Sequence, residues 1–297
     1  MNNEPRQIPE VPVIIIENDD EPMNAVTTPP VQPQRRLSWL QVAGFAVLVA
    51  ALLAALFAGY KLYNYYHIGI PVSTTPSENI AKLKHPLVPT TPEVKLTSVT
   101  VLDVPINFYE LHGLKASIQF TRPEADDTSV YLYTRCADHT PEGKYIGSLV
   151  AEGKDLQSDR TRLGYMAMAD GRMVIGIARS DKVKDYVLER GGSFFRQFIL
   201  VSDGVIPSRF YLHGKVERRG IGRIGDTLYY IATAGKETLW DFADALREYG
   251  FTDAIYITGG NAHSFYRTAD GVSHDIGVPD TTENTSTQIP WLVFKKR

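Results

Sequence analysis

The longest apolar run of the chain, Leu37 to Tyr60, contains no charged residue. Its apolar side chains cover every side of a helix rather than one stripe. At 1.5 Å per residue the run reaches about 36 Å, more than the roughly 30 Å hydrocarbon core of a bilayer. The pattern predicts a transmembrane helix over 37–60; the alternative, a buried core helix, is seldom apolar all round at this length. Trp39 at one end and Tyr60, Tyr63, Tyr65 and Tyr66 at the other supply amphipathic rings suited to the two membrane interfaces.

The flanks of this run differ from it and from each other. Residues 1–36 are rich in proline, acids and amides, with too little apolar surface to offset the entropy of ordering, so a disordered tail is expected. Arg35 and Arg36 abut one end of the helix and only Lys61 the other. That asymmetry predicts a cytoplasmic tail and an exported C-terminal domain, in a bacterial periplasm. A cleavable signal peptide fits less well, because the leader is long and no pair of small residues closes the apolar run. Residues 61–93, with Pro71, Pro76, Pro86, Pro89 and Pro92, read as a semi-extended stalk. Within the tail, Val11 to Ile16 is a β-prone hexamer between acids, either incidental or able to add to the sheet edge of a cytoplasmic protein partner. Deleting Val11–Ile16 should then abolish capture of that partner, and an unchanged set of captured proteins would dismiss the idea.

From Val94 onward the periodicity shortens to that of strands. Ser117 to Phe120, Val130 to Thr134, Leu163 to Ala169, Met173 to Ala178, Phe198 to Val201, Leu228 to Thr233, Ala254 to Ile257 and Ser264 to Arg267 read as β-strands. Asp170-Gly171 between two of them is a two-residue hairpin signal, and Asp203-Gly204 and Asp270-Gly271 mark further turns. Ser180 to Arg190 reads as a helix stopped by Gly191-Gly192. A second is sharper: Thr238 with Asp241 forms a capping box, Leu239, Phe242, Ala243 and Leu246 recur at helical spacing, and Gly250-Phe251 closes a Schellman motif. Strand, helix and strand over 228–257 predict a right-handed crossover joining parallel neighbours. The fold class is thus α+β: a mixed β-sheet domain over 94–297 with a βαβ crossover, preceded by one transmembrane helix and a disordered N-terminal tail.

Charge and cysteine change this picture little. The net charge is −3 and no basic stripe marks a nucleic-acid surface. Cys136 is alone, so no intramolecular disulfide forms; it is either a small buried hydrophobe or a reactive thiol. His213 and His263 have no partners at metal-ligand spacing, and neither a nucleotide-binding glycine loop nor a serine-hydrolase elbow occurs, so no metal or cofactor is expected.

The crossover places Thr258-Gly259-Gly260 at the carboxyl end of a strand, where open α/β sheets bind ligands. The glycines let backbone approach a ligand or form a tight turn into the next strand. Asn261, His263, Tyr266 and Arg267 follow, and Arg196, Arg218 and Arg219 could grip phosphate bidentately or lie solvated. The succession of Phe198 to Gly204, Arg218-Arg219-Gly220-Ile221-Gly222, strand, helix, Asp253 to Ile257 and Thr258-Gly259-Gly260 resembles the phosphodiester glycosidase family, over residues 145–275. Arg218, Ile221 and Gly222 match its Arg-x-x-Ile-Gly element, and Gly259 and Gly260 its Gly-Gly. Thr258 stands where the family has Asp, and Ala262 where it has Ser. Its Asn-Gly-Gly-Phe-Phe element has no clear counterpart, the best-placed stretch being Tyr133 to Asp138.

Together with the predicted anchor, the resemblance implies a membrane-anchored protein acting on or binding phosphodiester-linked or other envelope glycans. Arg218, Gly259, Gly260, Thr258, Asn261, His263 and Arg196 would contact the phosphoglycan. Cleaving a glycosidic phosphodiester needs a carboxyl group, and Thr258 is none. Asp253, Asp270 and Asp203 are the nearest acids, the last two better read as turn formers. Without an acid in place, the same fold would serve as a glycan- or protein-binding module of the envelope.

Overall fold

A computed structural model describes residues 38–66, 76–206, 210, 213–277 and 288–297. The tail, the hexamer 11–16 and residues 67–75 of the stalk lie outside the described residues. Four helices and sixteen strands are formed among them, an α+β fold. Contacts divide the chain into two units that part between Leu53 and Ala54, inside the first helix.

That helix, α1, runs Trp39–Tyr66, six residues beyond the apolar run. Its apolar side chains, Phe45, Leu48, Leu52 and Leu56 among them, are exposed. The segment Trp39–Tyr63 is long and apolar enough to cross a membrane. The stalk differs from expectation. Pro76–Lys84 forms helix α2, with Pro76 at its first turn, Glu78 near the N-terminus and Lys82 and Lys84 near the C-terminus, each at its favourable end of the helix dipole. Leu83 is fully buried and the Asn79 amide donates to the Tyr165 hydroxyl at 2.5 Å, so this part of the stalk is packed onto the domain.

The strands follow as β1 (Glu93–Val101), β2 (Val104–His112), β3 (Leu114–Gln119), β4 (Val130–Arg135), β5 (Leu149–Ala151), β6 (Lys154–Gln157), β7 (Gly164–Ala169) and β8 (Arg172–Ile177). After helix α3 (Lys182–Glu189) come β9 (Ser193–Gln197), β10 (Ile199–Ser202), β11 (Val216–Ile224) and β12 (Thr227–Glu237). Helix α4 (Leu239–Tyr249) leads to β13 (Asp253–Ile257), β14 (Ser264–Arg267), β15 (Ser273–Ile276) and β16 (Trp291–Lys296). They form three sheets: β1-β2-β12-β11-β13-β10, β15-β14-β4-β16-β3 and β6-β5-β9-β7-β8.

Turn chemistry acts where the sequence placed it. Asp170 and Gly171 have φ of 51° and 74°, the left-handed pair of a type I′ turn, and join β7 to β8. Thr238 caps α4 by accepting from Asp241 N at 3.0 Å; Gly250 sits at φ 107° and Phe251 N donates to Leu246 O at 3.1 Å. Helix α3 starts later than expected, with Asp181 rather than Ser180 at its cap and no side-chain cap bond.

The crossover is the main correction. Among the described residues every strand pairing is antiparallel, and β12 and β13 are not neighbours, because β11 lies between them and pairs with both. They do run in the same direction, so α4 crosses over one intervening strand. β11 connects tightly to β12 and occupies the place the parallel neighbour would have taken. Its glycines hide it from periodicity while serving its packing: a Cβ on Gly222 would lie 2.5 Å from the Phe251 ring. The largest core, around Ile118, Leu132, Met166, Ile221, Ile255 and Leu292, joins all three sheets. A second lies under α4 around Phe108, Phe242, Leu246 and Phe251, and a third joins α2 and α3 to the third sheet. Cys136 belongs to the first; it is fully buried, its thiol donates to Pro290 O at 3.6 Å, and burial pushes its pKa far up. That is the environment of a small buried hydrophobe.

Candidate functional site

The site is built where β13 ends. Ile257 is the last strand residue, and the chain then turns through Thr258-Gly259-Gly260. Gly260 N donates to Glu217 O of β11 at 2.7 Å. A Cβ on Gly259 would lie 2.4 Å from that same carbonyl and 2.9 Å from the Tyr256 hydroxyl, so only glycine fits. Gly260 has φ 63°, the left-handed region. Both glycines are thus explained by the turn and by close backbone approach, and together they bring main chain beside Arg218.

Arg218 is buried on β11. Between the register pairs Arg219↔Ala232 and Glu217↔Lys236, β12 uses two residues more than β11, and this bulge leaves Arg218 without a regular partner. Its backbone N–H donates instead to Thr233 Oγ1 at 2.8 Å. The guanidinium donates through Nε to Glu237 O at 2.8 Å and through Nη2 to Gly214 O, and lies 5.9 Å from the centroid of the Tyr256 ring. No ion pair reaches it among the described residues. Carbonyls and the Tyr256 ring fix its orientation, and no carboxylate among the described residues balances its charge.

Asp138 is the residue that the acid search along the sequence missed. It follows β4, on a loop folded back by Thr140 N donating to Lys144 O at 2.8 Å and Ile146 N to Asp138 O at 2.9 Å. The loop lays its carboxyl against Thr258. Burial pushes the Asp138 carboxyl above the usual carboxylate range, against the opposing pull of Thr258, His139 and Arg135. The Thr258 hydroxyl is close enough to act on it yet completes no well-formed hydrogen bond. Tyr256 couples the two ends of the site. Burial raises its phenol first, the Asp138 charge adds to that, and Arg218 and the Gly259 backbone oppose it. Asp138 carried no signal of its own along the sequence.

The other expected residues divide. Asn261 is exposed on the rim of the turn. His263 is buried with Nε2 2.7 Å from Asp275 Oδ1, packs edge-on against Tyr133 at 5.7 Å, and leaves Nδ1 without a partner. Arg196 is not brought to the site. It stands on β9, fully buried, donating to Ala178 O at 2.6 Å and Ser180 O at 2.8 Å and pairing with Asp181 Oδ1 at 3.2 Å, which clamps the entry to α3. Burial acts to raise the Asp181 carboxyl, but Arg160 and Arg196 outweigh it and hold it below its usual range. Of the three acids weighed from sequence, Asp203 (φ 51°) and Asp270 form turns, and Asp253 begins β13, at the strand end opposite Thr258. Among the described residues no group of three His, Cys, Asp or Glu side chains could hold a metal ion.

No family model matches the sequence, and no curated protein does. Among solved structures, the chain is similar to the catalytic domain of zebrafish N-acetylglucosamine-1-phosphodiester alpha-N-acetylglucosaminidase, auto-inhibited by its pro-peptide, at 15% identity and a TM-score of 0.49 over 72% of this chain and 86% of that one. It is also similar to a hypothetical protein from Synechocystis, at 10% identity and a TM-score of 0.49 over 71% of this chain and 64% of that one. Both likenesses are distant and concern overall shape alone.

Proposed function

We propose that this chain is a membrane-anchored hydrolase of the phosphodiester glycosidase type, acting on phosphodiester-linked glycans of the cell envelope. The observation that carries the reading is the Asp138 carboxyl against Thr258, with Tyr256 linking it to the acid-free guanidinium of Arg218. Arg218 binds the phosphate and takes up the charge that develops as it leaves the sugar. Asp138, ionised, accepts the proton of the attacking water; a carboxyl whose pKa is raised by burial is a stronger base than an ordinary one. The Asn261 amide at the rim suits a sugar hydroxyl. The test is turnover of a sugar-1-phosphodiester by the full-length chain in detergent, read by release of reducing sugar. No release over that of the uncatalysed substrate, with and without divalent metal, would leave binding as the function.

A binding module of the envelope is the second reading. It is favoured by Thr258 and Ala262, which stand where the resembled family carries Asp and Ser, leaving one carboxyl where most glycosidases use two.

The anchor reading rests on α1 and the charges beside it. The chain should stay with membranes through alkaline carbonate washing, deletion of residues 38–66 should release it, and external protease should reach residues 76–297 in spheroplasts. Recovery of the intact chain in the soluble fraction would remove the anchor; protection of the domain would reverse the orientation.

A further inference from the structure

Between α2 and β1 the chain crosses the domain surface as a strap, residues 85–91. Two guanidinium groups fasten its main chain. Arg172 of β8 donates through Nε to His85 O at 3.1 Å, and Arg297, just past β16, donates through Nη1 to Val88 O at 3.3 Å and through Nε to Leu114 O of β3 at 3.1 Å. Gly113 makes room for the rest, since a Cβ there would lie 2.3 Å from Thr90 O.

The fastened segment turns apolar side chains to solvent: Val88 is 68% exposed and Leu87 41%. Cations flank them. Besides Arg172 and Arg297 there is Lys84, exposed at the end of α2 with its ammonium 5.5 Å from the centroid of the Tyr186 ring. Arg172 and Arg297 approach each other closely enough that burial first, and then the Arg172 charge, hold the Arg297 guanidinium below its usual pKa. The acid of the adjacent β7–β8 hairpin, Asp170, is engaged elsewhere, 3.5 Å from the Tyr186 hydroxyl and 3.9 Å from Arg190. Among the described residues no carboxylate pairs with Lys84, Arg172 or Arg297.

Exposed aliphatic side chains among unpaired cations complement a surface of anionic lipid, where apolar burial and headgroup attraction add. Chain length supplies the second argument. Residues 67–75, which join α1 to α2, span at most about 30 Å even when fully extended, and α2 adds about 14 Å before the strap begins. With α1 in a bilayer, the strap is tethered to headgroups at an effective concentration of about millimolar order, so a weak contact suffices.

We propose that the strap, with Lys84, Arg172 and Arg297 beside it, is the face by which the domain docks on the anionic lipid surface of the bilayer that holds α1, Val88 and Leu87 entering the interface. The docking face rests on the anchor reading and needs neither Asp138 nor Arg218.

The experiment uses the full-length chain with Val88→Cys, labelled with a polarity-sensitive fluorophore and reconstituted in vesicles that contain spin-labelled lipid as quencher. Cys136 is fully buried and does not compete for the label. The control is Val272→Cys, 49% exposed beside β15, at the opposite edge of its sheet from β3. In vesicles with phosphatidylglycerol the Val88 probe should shift to the blue and be quenched well beyond the Val272 probe, and in pure phosphatidylcholine the difference should largely vanish. Salt at about 1 M, where the Debye length is about 3 Å, should remove it as well. Lys84→Gln takes away a charge but none of the bonds that fasten the strap, and should weaken docking about fivefold, as should Arg297→Gln. A chain that fails to float with the vesicles removes the anchor and the docking face together. A chain that floats but whose Val88 probe is quenched no more than the Val272 probe, or equally in neutral lipid, overturns the docking face alone. A shift that follows protein density instead of lipid charge also overturns it, in favour of a second copy on the strap.

Discussion

Asp138→Asn should lower kcat for a sugar-1-phosphodiester by about a thousandfold while KM stays within about threefold, since a positioned base is worth roughly 10² to 10⁴ in rate. Arg218→Lys should act differently. It keeps the charge but loses the planar fork, and with it the bonds to Glu237 O and Gly214 O that set its direction, so KM should rise about tenfold or more. Stability separates catalysis from unfolding. The folded chain holds the Asp138 proton more tightly than the unfolded chain does, so ionising it destabilises the fold. The stability lost this way disappears as pH rises from the ordinary carboxylate value through the raised one, because the native state then binds more protons than the unfolded state. Asp138→Asn has no such loss and should be at least as stable as the parent at pH 7. An Asn variant that turns over normally, or one that fails only because it melts, contradicts the assigned role.

Phe251→Ala should cost about 3 to 5 kcal/mol and lower Tm by about 10 °C. Phe251 is 1% exposed and its ring meets Phe108 and Tyr229 at 5.3 Å each and Tyr249 at 6.0 Å. It also lies where a side chain on Gly222 would begin. Gly222→Ala alone should therefore destabilise by about 1 to 3 kcal/mol through overpacking. In the Phe251→Ala background the same methyl group enters vacated space. The double variant should be more stable than the sum of the two losses predicts, by at least about 1 kcal/mol in a thermodynamic cycle, and simple additivity would show that the ring and the glycine do not share that space.

How far the sequence could be read depended on where each constraint lay. Helix α4 was legible to the residue, because its cap at Thr238, its apolar face and its stop at Gly250-Phe251 are all written within fourteen consecutive positions. The Asp170-Gly171 hairpin was equally local. Strand β11 was not legible, since its glycines and arginines answer to Phe251, Tyr256 and Ser264, which approach from other elements. The helical part of the stalk was hidden by its prolines: Pro76 opens α2 rather than preventing it. Near the candidate site, the Gly-Gly turn after β13 was legible in the sequence, whereas the approach of Asp138 was not. Asp138 lies about 120 residues before Thr258, and only a loop folded back past the end of β4 brings the two together.

The bulge that receives the Arg218 N–H gives one distant hydroxyl control over the site. Thr233 Oγ1 accepts that N–H and donates onward to Gly235 O at 2.7 Å. A descendant with valine at 233 would lose both bonds at nearly constant volume, and Arg218 would no longer be held on its present bearing. Inspection of the Arg-x-x-Ile-Gly segment would find every letter intact in such a descendant. On the proposed reading, the grip on phosphate would have been lost at a threonine outside that segment.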